Sequence, residues 1–342
     1  MNPETLLKEL IAISSETGHE EELCAFVFSL LAPYFTLEKR QVLAGRSNLI
    51  AVAGTPRIWL NTHLDTVAVG PNMLREDTER IYGRGSCDAK GSMSAMICAA
   101  ISLRQEGVTD FGLFFDVGEE EDFCGILCGL PEASPRFVII GEPTDLSPVI
   151  GQRGLLGLKV IGRGTTAHGS TPERGVNAII RLARAIDLLQ RIEWPTDKLL
   201  GPTSFNIGLI KGGIGINVVP DYAEMSVEIR IVTNKERYTS LLNELLGDYD
   251  LEYSASYEPV MLSDVEDLTR VRKLVRTDPT TLKAFSELFF WPRGIILGPG
   301  SLDQAHSDHE YVSKAQLHSA TGLYRDFVLE FTKANRDILI SP

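Results

Sequence analysis

The first residues suited to chemistry are His63 and Asp65, which follow the apolar run Ile58-Trp59-Leu60. In an extended strand, residues i and i+2 face the same side. An imidazole and a carboxylate therefore project together from the end of a strand that looks buried. The pair could be a hydrogen-bonded strand end, or a metal ligand with a carboxylate behind it. The rest of the sequence has to distinguish these two interpretations.

Three further apolar runs also end in side chains that can bind a metal. FGLFFDV leads to the acidic run Glu119–Glu121, FVIIG leads to Glu142, and GIILG leads to a loop that contains His306. Asp88, in the Gly-rich turn GRGSCDAKGS before a helix pattern, is another candidate. Because functional sites of open α/β sheets lie at the carboxyl ends of the strands, we expect these groups to meet there.

Each of these residues alone has a simpler explanation. Glu119–Glu121 could be a solvated acidic run, Glu142 a turn acid, and Asp88 a helix cap near the helix dipole. Convergence at one sheet edge favours a metal centre instead. Histidines and carboxylates in this combination suit a pair of borderline cations such as zinc, with one carboxylate bridging them. A spare carboxylate beside the ligands suits a general base.

The composition restricts the possible partners. The chain has 342 residues and a net charge of −13 with no basic stripe, which argues against a nucleic-acid surface. No apolar run approaches the ~18 residues that a membrane span needs. The amphipathic helix pattern of residues 1–23 lacks the basic region of a secretory signal. The five scattered cysteines predict reduced thiols in the cytoplasm.

The order of strand and helix patterns predicts two domains. Strands separated by helices in residues 1–154 predict an α/β catalytic domain with a helix-covered, mostly parallel sheet. Residues 155–260 follow the order β-α-β-β-α-β, which predicts an inserted ferredoxin-like α+β domain. Residues 261–342 return to the first domain and end in a helix pattern over 315–336.

Six motifs, taken in order, carry a resemblance to a known family: HLDTV, GRGSCDAKG, GEEEDFCG, GEPT, AHGSTPERGVNA and GPGSLDQAHSDHEYV. Over nearly its whole length the chain resembles the di-zinc amidohydrolases and metallopeptidases, which include acetylornithine deacetylase, succinyl-diaminopimelate desuccinylase, aminoacylase and carboxypeptidase G. The GPGSLDQAH…EY form and the short chain look most like the acetylornithine deacetylase branch. The resemblance implies two zinc ions, with cobalt or manganese as substitutes. It also implies a homodimer in which the inserted domain is a lid or dimerisation domain.

The resemblance implies two ligand sets that share one carboxylate: His63, Asp88 and Glu142 for one zinc, and Asp88, Glu120 and His306 for the other. Asp65 would orient His63. In the family the metal-binding glutamate lies five residues before a glycine, and counting back from Gly125 gives Glu120. Glu119 is then the general base, and Glu121 a solvated residue.

Three residues of the inserted domain match family positions near the substrate. His168 in TTAHGS matches a histidine that steadies the developing oxyanion, although it could be a turn histidine. Asn217 in GINVVP and Arg230 in VEIR match positions that contact substrate in relatives. An arginine suits an α-carboxylate through a bidentate pair, but a plain surface arginine is the alternative.

Two departures from the family pattern bear on the site. Gly118 stands where relatives commonly have aspartate, and this change removes no ligand. The stretch KAFSELFFWPRG is bulkier and more aromatic than usual before the last strand, which leaves the exact substrate open.

The resemblance predicts hydrolysis of the amide bond of a small N-acyl amino acid, most specifically N-acetylornithine in arginine biosynthesis. Succinyl-diaminopimelate desuccinylase and dipeptidase are alternatives within the family. A metal-binding relative without activity is the alternative from another class. The intact Glu119-Glu120 pair argues against it, because a non-catalytic relative would not need the base.

Overall fold

The structure is a computed structural model, and it describes residues 1–68, 73–131 and 137–333. The chain forms two compact units. The first unit consists of Met1–Ile150, Leu262–Thr280 and the chain from Ser286 onward, and the second of Gly151–Met261 and Thr281–Phe285. The sequence patterns predict boundaries at 154/155 and 260/261, and they do not include Thr281–Phe285 in the inserted domain.

The helices are α1 Pro3–Ala12, α2 Glu21–Leu31, α3 Lys90–Gln105, α4 Cys124–Leu127, α5 Ala178–Gln190, α6 Lys235–Leu245, α7 Val265–Leu274 and α8 Lys314–Thr332. Two 3₁₀ turns lie at Pro172–Arg174 and Glu287–Phe290. The strands are β1 Thr36–Leu43, β2 Arg46–Ala53, β3 Ile58–His63, β4 Arg75–Glu76, β5 Arg80–Tyr82, β6 Phe111–Asp116, β7 Phe137–Ile140, β8 Val149–Gln152, β9 Gly154–Arg163, β10 Thr196–Asp197, β11 Gly201–Pro202, β12 Ser204–Gly212, β13 Tyr222–Ile231, β14 Asp250–Tyr257, β15 Val260–Met261, β16 Thr280–Leu282, β17 Gly294–Ile296 and β18 Tyr311–Ser313.

The sheet of the first unit has the order β1-β2-β6-β3-β7-β17. Its neighbours β6, β3, β7 and β17 run parallel, while β1 and β2 run antiparallel. Every residue of the four parallel strands is buried, as expected for parallel strands with both faces covered. The predicted mostly parallel sheet is confirmed. Its register brings four strand ends to one edge: His63, Asp116, Ile140 and Ile296.

Helix α3 contributes much of the core of the first unit. It is rich in small residues, nearly all of them buried, and it packs against α1 and α8. The small side chains allow close approach on several sides of the helix. This packing fixes the start of α3, next to the turn that carries Asp88.

The N-terminal pattern, which predicts one helix over residues 1–23, is wrong. The structure has two helices, α1 and α2, because Ile13 takes extended backbone and Gly18 has φ +96°. Glu16, between these two breaks, forms a parallel bridge with Thr66 just beyond β3. A tertiary contact thus overrides the local helix pattern.

The final helix, α8, covers most of its predicted range, and residues 334–336 of that range lie outside the described residues. Within the described part of the chain, none of the helices is long and apolar enough to cross a membrane.

The second unit contains a four-stranded antiparallel sheet of order β12-β13-β9-β14 with α5 and α6. Strand β9 is the first strand of this sheet along the chain and lies between two strands that come later, as in a ferredoxin-like fold. Helix α5 buries one apolar stripe at helical spacing, formed by Ala178, Leu182, Ala185 and Leu189. The predicted α+β insertion is confirmed.

Candidate metal centre

The carboxyl edge of the first unit's sheet gathers histidines and carboxylates. Potential ligand atoms form two groups, and within each group they lie within 4.8 Å of one another: His63, Asp88 and Glu142 in one, and Asp88, Glu120 and His306 in the other. These are the two ligand sets proposed from the sequence. They are brought together because parallel strands end side by side.

Asp88 is the side chain common to both groups. Its Oδ1 lies 3.0 Å from His63 Nε2, and its Oδ2 lies 3.3 Å from His306 Nε2. His306 Nε2 also lies 2.9 Å from a carboxylate oxygen of Glu120. Each oxygen of Asp88 therefore faces a different group, which is the arrangement that a bridging carboxylate needs.

The donor set fits a pair of divalent cations. Imidazole nitrogens and carboxylate oxygens, without thiolates, suit zinc, cobalt or manganese. Glu142 supplies further support, since its Oε1 is buried without a hydrogen-bond partner among the described residues and lies 3.5 Å from His63 Nε2. A buried carboxylate oxygen in that state is costly, and a bound cation would compensate it.

The electrostatic contacts among these side chains also favour a cation site. Contacts with Asp65 and Asp88 raise the pKa of His63 well above its usual range even though burial acts to lower it. Asp88 and Glu120 raise the pKa of His306 to about 10. Burial opposes ionisation of Asp88, but the two histidines hold its pKa well below the usual range. A cation would thus displace protons from both imidazoles.

A hydrogen bond to the backbone determines which ring nitrogen of His63 can bind a cation. Its Nδ1–H donates to the main-chain carbonyl of Asp65 at 2.9 Å, while Nδ1 lies 3.6 Å from the Asp65 carboxylate. Because a carbonyl only accepts, Nδ1 carries a proton and Nε2 is the nitrogen left to bind a cation.

The Asp65 carboxylate holds the acidic turn after β6. It accepts the backbone N–H groups of Gly118 at 3.0 Å and of Glu119 and Glu120 at 3.2 Å each. The hydroxyl of Thr17 donates to the same carboxylate at 2.9 Å. Sequence reasoning proposed that Asp65 orients His63, and it did not anticipate this second set of contacts.

Gly118 begins that turn in a conformation that favours glycine. Its φ is +77°, and a Cβ there would lie 2.6 Å from Cys124 Sγ and 2.9 Å from Arg46 Nη2. An aspartate at this position would be strained in this backbone conformation. The positive φ and the close neighbours therefore explain why glycine occupies position 118.

Glu119 lies beside both ligand groups without belonging to either. It is half-buried, whereas Glu121 is exposed. Burial, together with the charges of Glu287 and Glu142, holds the pKa of Glu119 well above its usual range. A carboxyl group with a raised pKa beside metal ligands is suited to proton transfer near neutral pH.

A buried polar layer next to the site was missed by sequence reasoning. Trp291 Nε1–H donates to Asn61 Oδ1 at 2.8 Å, and Asn61 Nδ2–H donates to Asp116 Oδ1 at 2.7 Å. Asp116 Oδ2 and both carboxyl oxygens of Glu287 have no hydrogen-bond partner among the described residues. Burial raises the pKa of Glu287 to about 7. The sequence offers one indication of this layer, a single acidic residue inside the aromatic run SELFFW.

In the second unit, His168 and Asn217 lie next to each other. The backbone N–H of Ser170 donates to His168 Nδ1 at 3.2 Å, so Nε2 carries the imidazole proton and can donate it. The Gly169 N–H donates to the Asn217 carbonyl at 2.7 Å, and a Cβ on Gly169 would lie 2.9 Å from Asn217 Cα. Both His168 and Asn217 are exposed.

Arg230 is at the other end of β13. It lies eight positions after Tyr222, where the strand meets the Asn217 loop, and eight steps of extended chain span about 26 Å. Its Nε donates to Glu228 at 2.9 Å. One copy of the second unit therefore does not bring Arg230 together with His168 and Asn217.

Comparisons with known proteins cover both units. Residues 150–253 match the family model described as a peptidase dimerisation domain. The chain is 33% identical to a probable carboxypeptidase of Aspergillus terreus, over 94% of this chain and 84% of that protein. It is 32% identical to a peptidase M20 domain-containing protein of Schizosaccharomyces pombe, over 95% of this chain and 84% of that protein. The solved structure of aminopeptidase PepT from Bacillus cereus shares the fold, with a TM-score of 0.79 at 22% identity and coverage of 97% and 99% of the two chains.

Proposed function

Because the chain belongs to the M20 peptidase family, we propose that it is a zinc-dependent hydrolase that releases a free amino acid from a small N-acyl amino acid or dipeptide. Peptidases of this family hold two metal ions. The observation that supports the proposal most directly is Asp88 shared between two ligand groups, with the carboxyl group of Glu119 beside them.

We assign one zinc to His63, Asp88 and Glu142, and the other to Asp88, Glu120 and His306. When bound, such a cation pair polarises the amide carbonyl and lowers the pKa of the attacking water. Cobalt or manganese would serve in place of zinc because the donors are nitrogen and oxygen only.

Glu119 has the role of general base in this proposal. It takes a proton from the attacking water and delivers it to the leaving amide nitrogen. Asp65 keeps Glu119 and Glu120 in fixed relative positions, since its carboxylate accepts both of their backbone N–H groups. One turn thereby supports both the base and a ligand.

N-acetylornithine, in arginine biosynthesis, is the specific substrate that we propose, on the resemblance of the GPGSLDQAH…EY segment. One relative is named probable carboxypeptidase, and this name supports a leaving group that carries a free α-carboxylate. N-acetylornithine and dipeptides both meet this requirement, and Arg230 is the proposed partner of that carboxylate. Dipeptides are therefore the second candidate class, and succinyl-diaminopimelate the third.

The peptidase dimerisation domain at residues 150–253 supports a homodimer. His168 and Asn217 lie at the opposite end of β13 from Arg230, too far for one small substrate to touch all three in a single copy. We therefore propose that His168 and Asn217 serve the active site of the partner subunit. There His168 would donate Nε2–H to the developing oxyanion.

We place the reaction in the cytoplasm. All five cysteines are free, and Cys128 among them is exposed. An exposed free thiol is typical of a reducing compartment.

A substrate panel tests the proposed function. The zinc-loaded protein is assayed on N-acetylornithine, N-acetylcitrulline, succinyl-diaminopimelate and dipeptides, with Glu119→Gln as the matched inactive control. We expect release of a free amino acid, fastest with N-acetylornithine. Preference for a dipeptide would overturn the acetylornithine assignment and leave the hydrolase assignment in place.

Metal content separates the alternatives further. Elemental analysis should find about two divalent cations per chain, and one fewer in His306→Ala with the fold retained. Two bound cations without turnover of any panel substrate would favour a non-catalytic metal-binding relative. No bound cation in zinc-replete buffer would contradict the whole proposal.

A further inference from the structure

Glu310 carries a buried carboxylate in the EY part of the last motif, and none of the roles assigned above uses it. The residue is 3% exposed. Its Oε1 accepts the backbone N–H groups of Cys87 at 2.9 Å and of Asp88 at 3.0 Å. Its Oε2 accepts from Arg84 Nη1 at 2.6 Å. These three contacts all lead to the turn that holds Asp88.

Arg84 links this turn to the loop of the other histidine. The guanidinium is also buried, and its Nη2 donates to the main-chain carbonyl of Ser307 at 3.3 Å. Ser307 directly follows His306, whose φ of +59° lies in the left-handed region that a non-glycine residue occupies at a cost. Contacts from outside the loop are therefore needed to hold His306 in this conformation.

We infer that Glu310, held by Arg84, is a positioning residue that fixes the Asp88 turn against the His306 loop and so sets the spacing of the two cation positions. Asp88 reaches His63 with one oxygen and His306 with the other, so displacement of its backbone changes both positions at once. Hydrogen-bond partners behind metal ligands commonly change metal affinity 10- to 100-fold. The inference rests on the proposed function for the presence of the metals.

Glu310→Gln tests the inference because it keeps the shape of the side chain and removes the charge. The amide can offer its single oxygen to the backbone N–H groups or to Arg84, and not to both. We expect zinc affinity, measured by competition with a chelating dye, to fall roughly 10- to 100-fold. We also expect the visible absorption spectrum of the cobalt-loaded protein to change, because that spectrum reports ligand geometry.

Asp267→Asn is the matched control. Asp267 is another buried carboxylate of the first unit, and it accepts from Arg293 Nε at 2.9 Å and Nη2 at 2.6 Å. It lies at the start of α7, outside both ligand loops. This variant should lower the unfolding temperature and leave zinc affinity and the cobalt spectrum unchanged.

Arg84→Lys is the second variant, in case Glu310→Gln does not fold. It retains a positive charge next to Glu310 and removes the guanidinium nitrogen that donates to Ser307. We therefore expect a smaller loss of zinc affinity than for Glu310→Gln. If the parent protein binds two cations and neither variant alters affinity or spectrum beyond Asp267→Asn, the inference is wrong and the proposed function is untouched. If the parent protein binds none, the proposed function fails first.

Discussion

Replacing Glu287 by glutamine should stabilise the metal-free protein at neutral and alkaline pH. The Glu287 carboxyl is fully buried, and neither of its oxygens has a hydrogen-bond partner among the described residues. Burial is the main cause that raises its pKa from 4.5 to about 7. A neutral amide of the same shape avoids the cost of ionising this position.

The pH dependence follows from the direction of the pKa change. Below pH 4.5 the group is protonated in both the folded and the unfolded chain, so it costs nothing. Between pH 4.5 and about 7 the unfolded chain releases the proton while the folded chain keeps it, so stability falls as the pH rises. At about 1.4 kcal/mol per pH unit the full cost is about 3 kcal/mol. It is reached near pH 7 and stays constant above it.

Thermal unfolding in EDTA measures the difference. For a unit of this size 3 kcal/mol corresponds to a rise of roughly 6–12 °C in Tm at pH 8, and to little change near pH 5. Glu121→Gln, an exposed acid in the turn beside the site, is the control for charge alone and should show no such pH-dependent gain. With zinc bound the gain should shrink, because nearby cations favour the ionised carboxyl. An unchanged or lower Tm of a folded Glu287→Gln at pH 8 would refute the reasoning.

Three further outcomes are expected. Glu119→Gln should keep both metals and lower kcat by roughly 10² or more, while Glu120→Gln should lose metal; the reverse pattern would place the base one residue further along. His168→Ala should keep its metals and lose roughly 10²- to 10³-fold in kcat. Mixing it with Glu119→Gln should restore part of the activity, whereas no recovery despite proven subunit exchange would exclude action across the dimer. Zinc binding at pH 7.5 should release protons from His63 and His306. Calorimetric enthalpies that do not depend on the buffer would contradict the raised pKa values of these histidines.

The strand ends of the first unit could be predicted from the sequence because a parallel sheet leaves little choice. Long apolar runs such as FGLFFDV mark buried strands, and polar residues directly after them must meet at one edge. That reasoning predicts that His63, the acidic run Glu119–Glu121 and Glu142 lie close together. The family resemblance is needed to assign Glu119 as the general base and Glu120 as a metal ligand, because periodicity alone cannot distinguish them.

The contacts behind the ligands could not be predicted in this way. Arg84 and Glu310 are 226 residues apart, and nothing local in either segment indicates the other. Glu287 lies in an aromatic stretch whose 3₁₀ turn buries the acid together with its neighbours. The break between α1 and α2 depends on a bridge from Glu16 to Thr66, so a purely local pattern predicted one helix.

The place of β17 in the sheet has a consequence for synthesis on the ribosome. β17 pairs with β7, yet 154 positions of chain separate Ile140 from Gly294. Translation adds about 5–20 residues per second, so β17 is synthesised on the order of 8–30 s after β7. During this time the edge of β7 that later pairs with β17 has no hydrogen-bonded neighbour. The whole second unit emerges in that interval. Chaperone supply and elongation rate through residues 141–293 should therefore control the yield of folded protein, and the second ligand group, Asp88, Glu120 and His306, is complete only after the His306 loop has emerged.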